Sequence, residues 1–265
     1  MKLLGIIWDV SPEIFSIGNF AIRWYGLLFA LGFLVGQNMM MRFYKWEGKN
    51  EKDVEVLTLY MVIATVVGAR LGHCLFYQPD IYLADPIQIL YIWEGGLASH
   101  GAAIGIMIAI WLYTKKFPDQ PYLWLFDRLV IPVALGGCFI RIGNLMNSEI
   151  VGKPTDLPWG FIFVRNQENF PRHPAQLYEA IFYFFTFLFL RAYYIKYKEK
   201  TPQGKIFGMF FVLVFGFRFL VEFLKKEQVD FEQSMLLNMG QLLSLPFIGL
   251  GIWLLRRAKK SVQSS

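Results

Sequence analysis

The chain has 265 residues, of which 55% are hydrophobic and only 17% are charged, and its formal net charge is +6. With a mean hydropathy of +0.41, this composition excludes an ordinary water-soluble domain and is typical of a protein embedded in a membrane.

The first fifteen residues, MKLLGIIWDVSPEIF, contain one lysine and an apolar run that Asp9 interrupts. This run is too short for a secretory signal peptide, so we expect the first membrane span to act as the targeting signal.

Seven windows are apolar enough to cross a hydrocarbon core of about 30 Å, which needs roughly 20 helical residues. They cover approximately residues 22–41, 54–77, 97–113, 124–140, 176–195, 206–224 and 235–255, and the third and fourth are short. The sequence therefore predicts an all-α multi-pass membrane protein with seven transmembrane helices.

A polar segment, residues 144–175, separates the fourth and fifth predicted spans. It contains a short strand-like run at residues 161–164 and the turn formers Gly152, Pro154, Pro158, Gly160 and Pro174. We expect a single integral membrane domain over residues 1–265, with this segment as a small head insert outside the cytoplasm.

Lysine and arginine are unevenly distributed between alternate connections of the predicted spans. One set of connections carries 15 of them and the other set carries 8. Because the cytoplasmic side retains positive charge, the N-terminus is predicted outside and the C-terminus in the cytoplasm. The same bias accounts for the positive net charge, so we expect no nucleic-acid partner.

Cys74 and Cys138 are the only cysteines, and both lie inside predicted spans. Cys74 directly follows His73, but adjacent helical residues point about 100° apart and make a poor pair of metal ligands. We expect neither a disulfide framework nor a metal site, and we interpret both cysteines as small apolar filler.

Ionisable residues inside membrane spans are costly and usually functional. Those in or beside the predicted spans are Arg70, His73, His100, Asp127, Arg128, Arg141, Glu179, Arg218 and Glu222. In the predicted topology all but two fall in the outer half of the membrane; Asp127 and Arg128 fall near the cytoplasmic end, where we expect interfacial anchoring. The rest predict one polar chamber that opens toward the outer leaflet.

Three arginines in such a chamber predict an anionic ligand, since the planar guanidinium suits phosphate. The amides of Asn144 and Asn147 are candidates for binding further phosphate or glycerol oxygens. Structural alternatives stay open. Arg218 and Glu222, at positions i and i+4, are spaced to neutralise one another, and Arg70 and His73 are spaced as a helix-packing pair.

Three GxxxG sequences, at residues 32–36, 68–72 and 101–105, allow helices to approach closely. We interpret them as packing sites around the chamber and expect no dimer.

Seven blocks of sequence, in order, resemble the prolipoprotein diacylglyceryl transferase family. They are RWYGLLFALGFLVG (23–36), GARLGH (68–73), GGLASHG (95–101), RIGNLMNSEIVG (141–152), HPAQLYE (173–179), FRFLVEF (217–223) and NMGQLLSLP (238–246). The resemblance implies seven membrane helices with a small periplasmic head, in the bacterial cytoplasmic (inner) membrane. It implies transfer of the diacylglyceryl group of phosphatidylglycerol to the lipobox cysteine thiol of a preprolipoprotein signal peptide, with release of glycerol 1-phosphate and without a cofactor.

The resemblance also implies roles for individual residues. Arg141 becomes a headgroup ligand, and the same motif contributes Asn144, Asn147, Glu149 and Gly152. Arg218 becomes the second essential arginine, with Glu222 one turn further on, and the family's N-terminal tyrosine becomes Tyr25.

His100 takes the place of the family histidine. A base that titrates near neutral pH is suited to accept the proton of the incoming thiol, and a structural histidine that caps the third helix is the alternative.

The sequence departs from the family pattern at several positions, which include Ile140, Leu145, Ala102, His73 and Val214. The last two leave helix-packing details, and any tyrosine role on the sixth span, open. A membrane transporter of a small organic anion is the rival function, although no internal repeat is visible and the charges cluster outward.

Overall fold

A computed structural model describes residues 5–18, 20–226 and 236–263 of the chain. Its helices are α1 (Trp24–Trp46), α2 (Lys52–Phe76), the short α3 (Pro79–Ala84), α4 (Ser99–Lys116), α5 (Tyr122–Met146), α6 (Ala175–Tyr197), α7 (Lys205–Val221) and α8 (Met239–Gln263). Each predicted span coincides with one long helix. The seventh was predicted from residue 235, which lies outside the described residues.

Five helices within the described ranges are long and apolar enough to cross a membrane: α1, α2, α5, α7 with the turn that follows it, and α8. The chain is therefore a mostly helical, multi-pass membrane protein. Of the remaining two long helices, α4 ends in two lysines, and α6 carries Glu179, Arg191 and Lys196. The count of seven spans stays a prediction.

The chain divides into two compact units, one formed by the described parts of Met1–Met39 and Phe126–Ser265 and the other by Met40–Leu125. In the second unit, α2 and α4 touch at their backbones. A Cβ atom at Gly101 would overlap the carbonyl oxygen of Gly68, and one at Gly105 would lie 2.5 Å from the carbonyl oxygen of Ala64. The GxxxG spacings at residues 68–72 and 101–105 are thus confirmed as helix-packing sites.

A buried polar cluster joins the ends of three helices in the same unit. The Tyr44 hydroxyl donates to Gln120 Oε1 at 2.6 Å, and the Tyr113 hydroxyl donates to the same oxygen at 2.7 Å. Gln120 Nε2 donates in turn to Asp53 Oδ2 at 2.8 Å. Since a buried polar group without a partner is costly, these shared bonds hold α1, α2 and α4 together.

In the first unit, Asp127 and Arg128 differ from the prediction of interfacial anchors, because both are fully buried. Asp127 accepts hydrogen bonds from the backbone N–H groups of Gly204, at 2.6 Å, and Phe207, at 2.8 Å. It therefore caps the N-terminus of α7, where backbone donors have no helical partner. Arg128 lies over the ring of Tyr194.

The strands join two distant parts of the sequence, the N-terminal residues and the polar segment predicted to form the head. Strand β1 (Ile6–Trp8) pairs in parallel with β4 (Phe161–Phe163), while β2 (Glu13–Ile17) and β3 (Phe20–Arg23) form an antiparallel hairpin before α1. Trp8 stacks on Phe161, and its indole N–H donates to the Leu145 carbonyl. The strand-like run predicted at residues 161–164 is confirmed as β4, whereas the N-terminal strands were not predicted.

The two cysteines are buried, as expected for apolar filler. Cys138 packs with Ala180 and Tyr183 in a small core between α5 and α6.

Candidate active site

Arg141 lies near the C-terminal end of α5, and its side chain contacts Glu179, Asn144 and Tyr183. Its Nε is 3.2 Å from Glu179 Oε2, and its Nη1 donates to Asn144 Oδ1 at 3.1 Å. Glu179, in the first turns of α6, is fully buried, whereas Arg141 keeps some exposure. The predicted ligand Arg141 is therefore oriented by a buried carboxylate and retains further donors.

A second ion pair lies at the end of α7. Arg218 Nε is 3.7 Å from Glu222 Oε1, which supports the mutual neutralisation anticipated from their spacing. This pair is loose, because the Arg218 side chain is 36% exposed and its Nε has no hydrogen-bond partner among the described residues. Arg218 thus keeps N–H groups available to an anion.

Lys225 connects the two pairs. Its ammonium group is 3.1 Å from Glu179 Oε2 and 2.9 Å from Glu222 Oε1, and the residue is only 3% exposed. From the sequence, Lys225 was counted only among the eight lysines and arginines of the connections predicted to lie outside. Its spacing of three residues from Glu222 was the sequence feature that could have predicted an ion pair between the two. Asn238 was also missed; its amide nitrogen lies 3.3 Å from Glu222 Oε2.

These side chains form one connected ion network at the ends of α5, α6 and α7, which consists of Arg141, Glu179, Lys225, Glu222 and Arg218. Three cations and two carboxylates give these ion-paired residues a formal charge of +1, and Asn144 links Arg141 to a further carboxylate, Glu149. Buried ions are tolerated only when they are paired, and the remaining positive charge suits a singly charged anion such as a phosphodiester.

The loop after α5 brings the predicted amides together. Glu149 Oε1 accepts from the amide groups of Asn144, at 2.7 Å, and Asn147, at 3.3 Å. The loop is tight, because Ser148 and Ile150 adopt positive φ angles that L-residues rarely take. The buried Asn147 Oδ1 has no hydrogen-bond partner among the described residues.

Gly152 ends this loop and is required for close packing. A Cβ atom there would lie 2.5 Å from the His173 Cβ and 2.8 Å from the Leu224 carbonyl oxygen. Gly152 forms an antiparallel β-bridge with Lys225, which joins the loop to the segment that follows α7. We therefore interpret Gly152 as a glycine that is needed because the backbone at Leu224 and the chain at His173 pack directly against it.

Tyr25, at the start of α1, lies against α5. A Cβ atom at Gly143 would be 2.8 Å from Tyr25 Cδ2, and the phenol is within electrostatic reach of Glu149 and Arg141. The structure thus brings the predicted Tyr25 to the end of α5 that carries the ion network.

His173 and two aromatic residues form a polar group in the head. His173 Nδ1 is 3.2 Å from the Tyr178 hydroxyl, and this hydroxyl accepts a hydrogen bond from the Trp159 indole N–H at 3.0 Å. Partial burial lowers the pKa of His173 below the ordinary histidine value, because desolvation disfavours the charged imidazolium.

In the second unit, His100 is exposed in the first turn of α4. It borders a cavity of about 320 Å³ whose other walls are apolar or aromatic side chains and glycine: Gly72, Phe76, Tyr77, Ala98, Gly101 and Ile104. The imidazole is therefore accessible beside an apolar surface.

Arg70 and His73 have separate partners, which does not support the alternative of a packing pair. The Arg70 guanidinium donates to the backbone carbonyls of Gln88, Ile89 and Gly95, and so fixes the segment before α4. His73 Nε2 is 3.1 Å from Gln78 Oε1. Arg70 therefore has a structural role, since its guanidinium group binds backbone carbonyls. The single polar chamber predicted around His100 stays a prediction.

A family model described as prolipoprotein diacylglyceryl transferase matches residues 12–257. The chain is also similar to several proteins named phosphatidylglycerol–prolipoprotein diacylglyceryl transferase. One from Tolumonas auensis is 49% identical over 96% of this chain and 98% of its own length. One from Chloroherpeton thalassium is 47% identical over 97% and 96%, and one from Porphyromonas gingivalis is 44% identical over 97% and 95%.

Proposed function

The chain belongs to the prolipoprotein diacylglyceryl transferase family, and from this premise we propose how its side chains carry out the transfer. The protein is a transferase of lipoprotein biosynthesis that moves a diacylglyceryl group from phosphatidylglycerol to a prolipoprotein. The rival function of an organic-anion transporter has no support among these relatives.

Arg141 and Arg218 bind the phosphate of phosphatidylglycerol. The observation that carries this assignment is the ion network with its excess of one positive charge, in which both arginines keep N–H donors that the glutamates do not use. Charge-assisted bonds from a planar guanidinium are among the stronger polar contacts in a site with little water. They also stabilise the charge that develops on the departing phosphate.

The loop amides orient the glycerol of the headgroup. Asn144 and Asn147 converge on Glu149, and the unpaired Oδ1 of Asn147 is an acceptor for a hydroxyl group. Glu222 holds Arg218, and Tyr25 stands close to the same end of α5. Gly152 has no side chain, so the end of the loop can pack closely against His173 and Leu224.

His100 acts as the base for the acceptor thiol, the lipobox cysteine of a preprolipoprotein signal peptide. A free thiol has a pKa of about 8.5, so proton removal increases its nucleophilicity at neutral pH. The sulfur attacks the carbon of the diacylglyceryl group that bears the phosphate and forms a carbon–sulfur bond, so that glycerol 1-phosphate is the leaving group. The carbon–oxygen bond to phosphate breaks, its electron pair leaves on oxygen, and the thiol proton passes to the imidazole.

The topology that suits this chemistry has seven spans in the cytoplasmic membrane, with the N-terminus and the head outside and the C-terminus inside. The uneven distribution of lysine and arginine supports it. In this orientation the ion network lies in the outer leaflet, where an exported prolipoprotein presents its cysteine.

Purified protein incubated with phosphatidylglycerol and a lipobox peptide tests the proposal. We expect mass spectrometry to detect a diacylglyceryl adduct on the peptide cysteine and glycerol 1-phosphate in solution. A peptide with serine in place of cysteine is the matched control. Absence of the adduct beside an active family member would refute the assignment, and uptake of an organic anion into proteoliposomes would then favour transport.

A further inference from the structure

Lys225 has contacts that distinguish it from a surface lysine. Its ammonium group lies within 3.1 Å of two carboxylates on different helices, and the residue is 3% exposed. An ammonium has three donors in all; one of them donates to Glu222 Oε1, and Glu179 Oε2 lies within ion-pair distance. The lysine is thus directed into the ion network and has little surface on which to meet a lipid directly.

The backbone around Lys225 is fixed to the signature loop. Lys153 N–H donates to the Leu224 carbonyl at 2.7 Å, and Lys226 N–H donates to the Val151 carbonyl at 3.2 Å. Gly152 lies opposite Lys225 in an antiparallel bridge. Lys225 therefore has a defined position relative to both the loop and α7.

The formal charge of the ion network depends on Lys225. Without Lys225 the network would hold two arginines and two glutamates, with no net charge, and each carboxylate would have only an arginine to neutralise it. Both guanidinium groups would then be drawn more closely onto their glutamates, since ion pairs of low solvent exposure are strongly attractive. Fewer N–H groups would be left for a phosphate.

We propose that Lys225 is a positioning residue for the phosphatidylglycerol site, which neutralises Glu179 and Glu222 so that Arg141 and Arg218 remain able to bind the lipid phosphate. This inference rests on the proposed phosphate site. It assigns to Lys225 an indirect role, through the glutamates, and no contact with the substrate.

Steady-state transfer from phosphatidylglycerol in detergent micelles to a lipobox peptide tests the role of Lys225. We expect Lys225→Met to raise the KM for the lipid about tenfold or more, the size typical of a weakened charge-assisted contact, with a smaller change in kcat. Lys225→Arg should stay near the wild-type KM, because it keeps the charge. The exposed neighbour provides the matched control, Lys226→Met, with unchanged kinetics.

The double variant Lys225→Met/Glu222→Gln separates the possible roles. It restores the formal charge of +1, so we expect its KM to fall back toward the wild-type value. A KM as high as in Lys225→Met would instead indicate that Lys225 binds phosphate directly, and would overturn the positioning role. So would a folded Lys225→Met protein whose KM is within about twofold of wild type.

Folding is monitored by thermal unfolding in detergent. If Lys225→Met does not fold, the double variant tests the inference in its place, because it removes one positive and one negative charge and leaves no additional unpaired carboxylate. A folded double variant with near-normal KM supports the inference, and one that is unfolded or has a raised KM overturns it. Transfer by the wild-type protein is the reference, since its absence would refute the proposed function.

Discussion

Arg141 Nε and Glu179 Oε2 are 3.2 Å apart and join the C-terminal end of α5 to the first turns of α6. The glutamate is fully buried and the arginine is partly exposed. The pair therefore engages the Nε of Arg141 and leaves part of its guanidinium group exposed.

The first prediction concerns this arginine. Arg141→Ala should reduce kcat/KM for phosphatidylglycerol by about 10² to 10³·⁵, or roughly 3 to 5 kcal/mol, since it leaves a desolvated phosphate without its partner. Arg141→Lys should rescue poorly, because it keeps the charge but loses the planar fork.

The measurement is peptide diacylglyceryl transfer at limiting lipid, with thermal unfolding as the check on folding. A folded Arg141→Ala protein that retains more than about a third of the wild-type rate, a loss of under about 1 kcal/mol, would contradict the assignment and favour Arg218 as the main phosphate ligand.

The second prediction concerns the base. His100→Gln should lower turnover sharply at neutral pH and leave lipid binding nearly unchanged. The deficit should shrink as pH rises toward the thiol pKa of about 8.5, since the thiolate then forms without a base. The check is a pH profile of kcat from pH 6 to 9. A deficit that is equal at every pH would indicate the structural role instead.

The third prediction concerns orientation. In a background with both native cysteines replaced by alanine, Asn50→Cys and Asp156→Cys place one thiol each in an exposed connection on opposite predicted sides. Only Asp156→Cys should react with a membrane-impermeant maleimide in spheroplasts, and both should react after lysis. Labelling of Asn50→Cys before lysis would reverse the topology and place the ion network on the cytoplasmic side.

The fourth prediction concerns acid sensitivity in the head. Burial lowers the pKa of His173, so the unfolded chain binds a proton there more readily than the folded chain does. The folded state therefore loses stability as pH falls below the ordinary histidine pKa of about 6.5. His173→Gln should unfold at a Tm that changes less between pH 7.5 and 5.5 than the wild-type Tm does. An equal change in both proteins would exclude His173 as a source of the acid sensitivity.

The sequence alone determined the helices, because the length of an apolar run and the position of its charges are local properties. Each predicted span coincides with a long helix, and two of the GxxxG motifs, predicted as packing sites, lie where α2 and α4 touch. The sequence also singled out Arg141, Glu179, Arg218 and Glu222 as ionisable residues in or beside the spans, and the structure joins these four in one ion network.

Only the tertiary structure decided which ion-pair and hydrogen-bond partners the buried charged residues have. The sequence showed Lys225 only as a charge in a connection, and the fold of the chain after α7 places it between two buried carboxylates. Asp127 caps a helix that begins 78 residues later, and Arg70 binds backbone carbonyls that have no sequence signature. Strand β1 was missed because three residues show no periodicity, and it exists only by pairing with β4, more than 150 positions away. Hydrophobic length is local, whereas the pairing of buried charges and strands depends on contacts between distant residues.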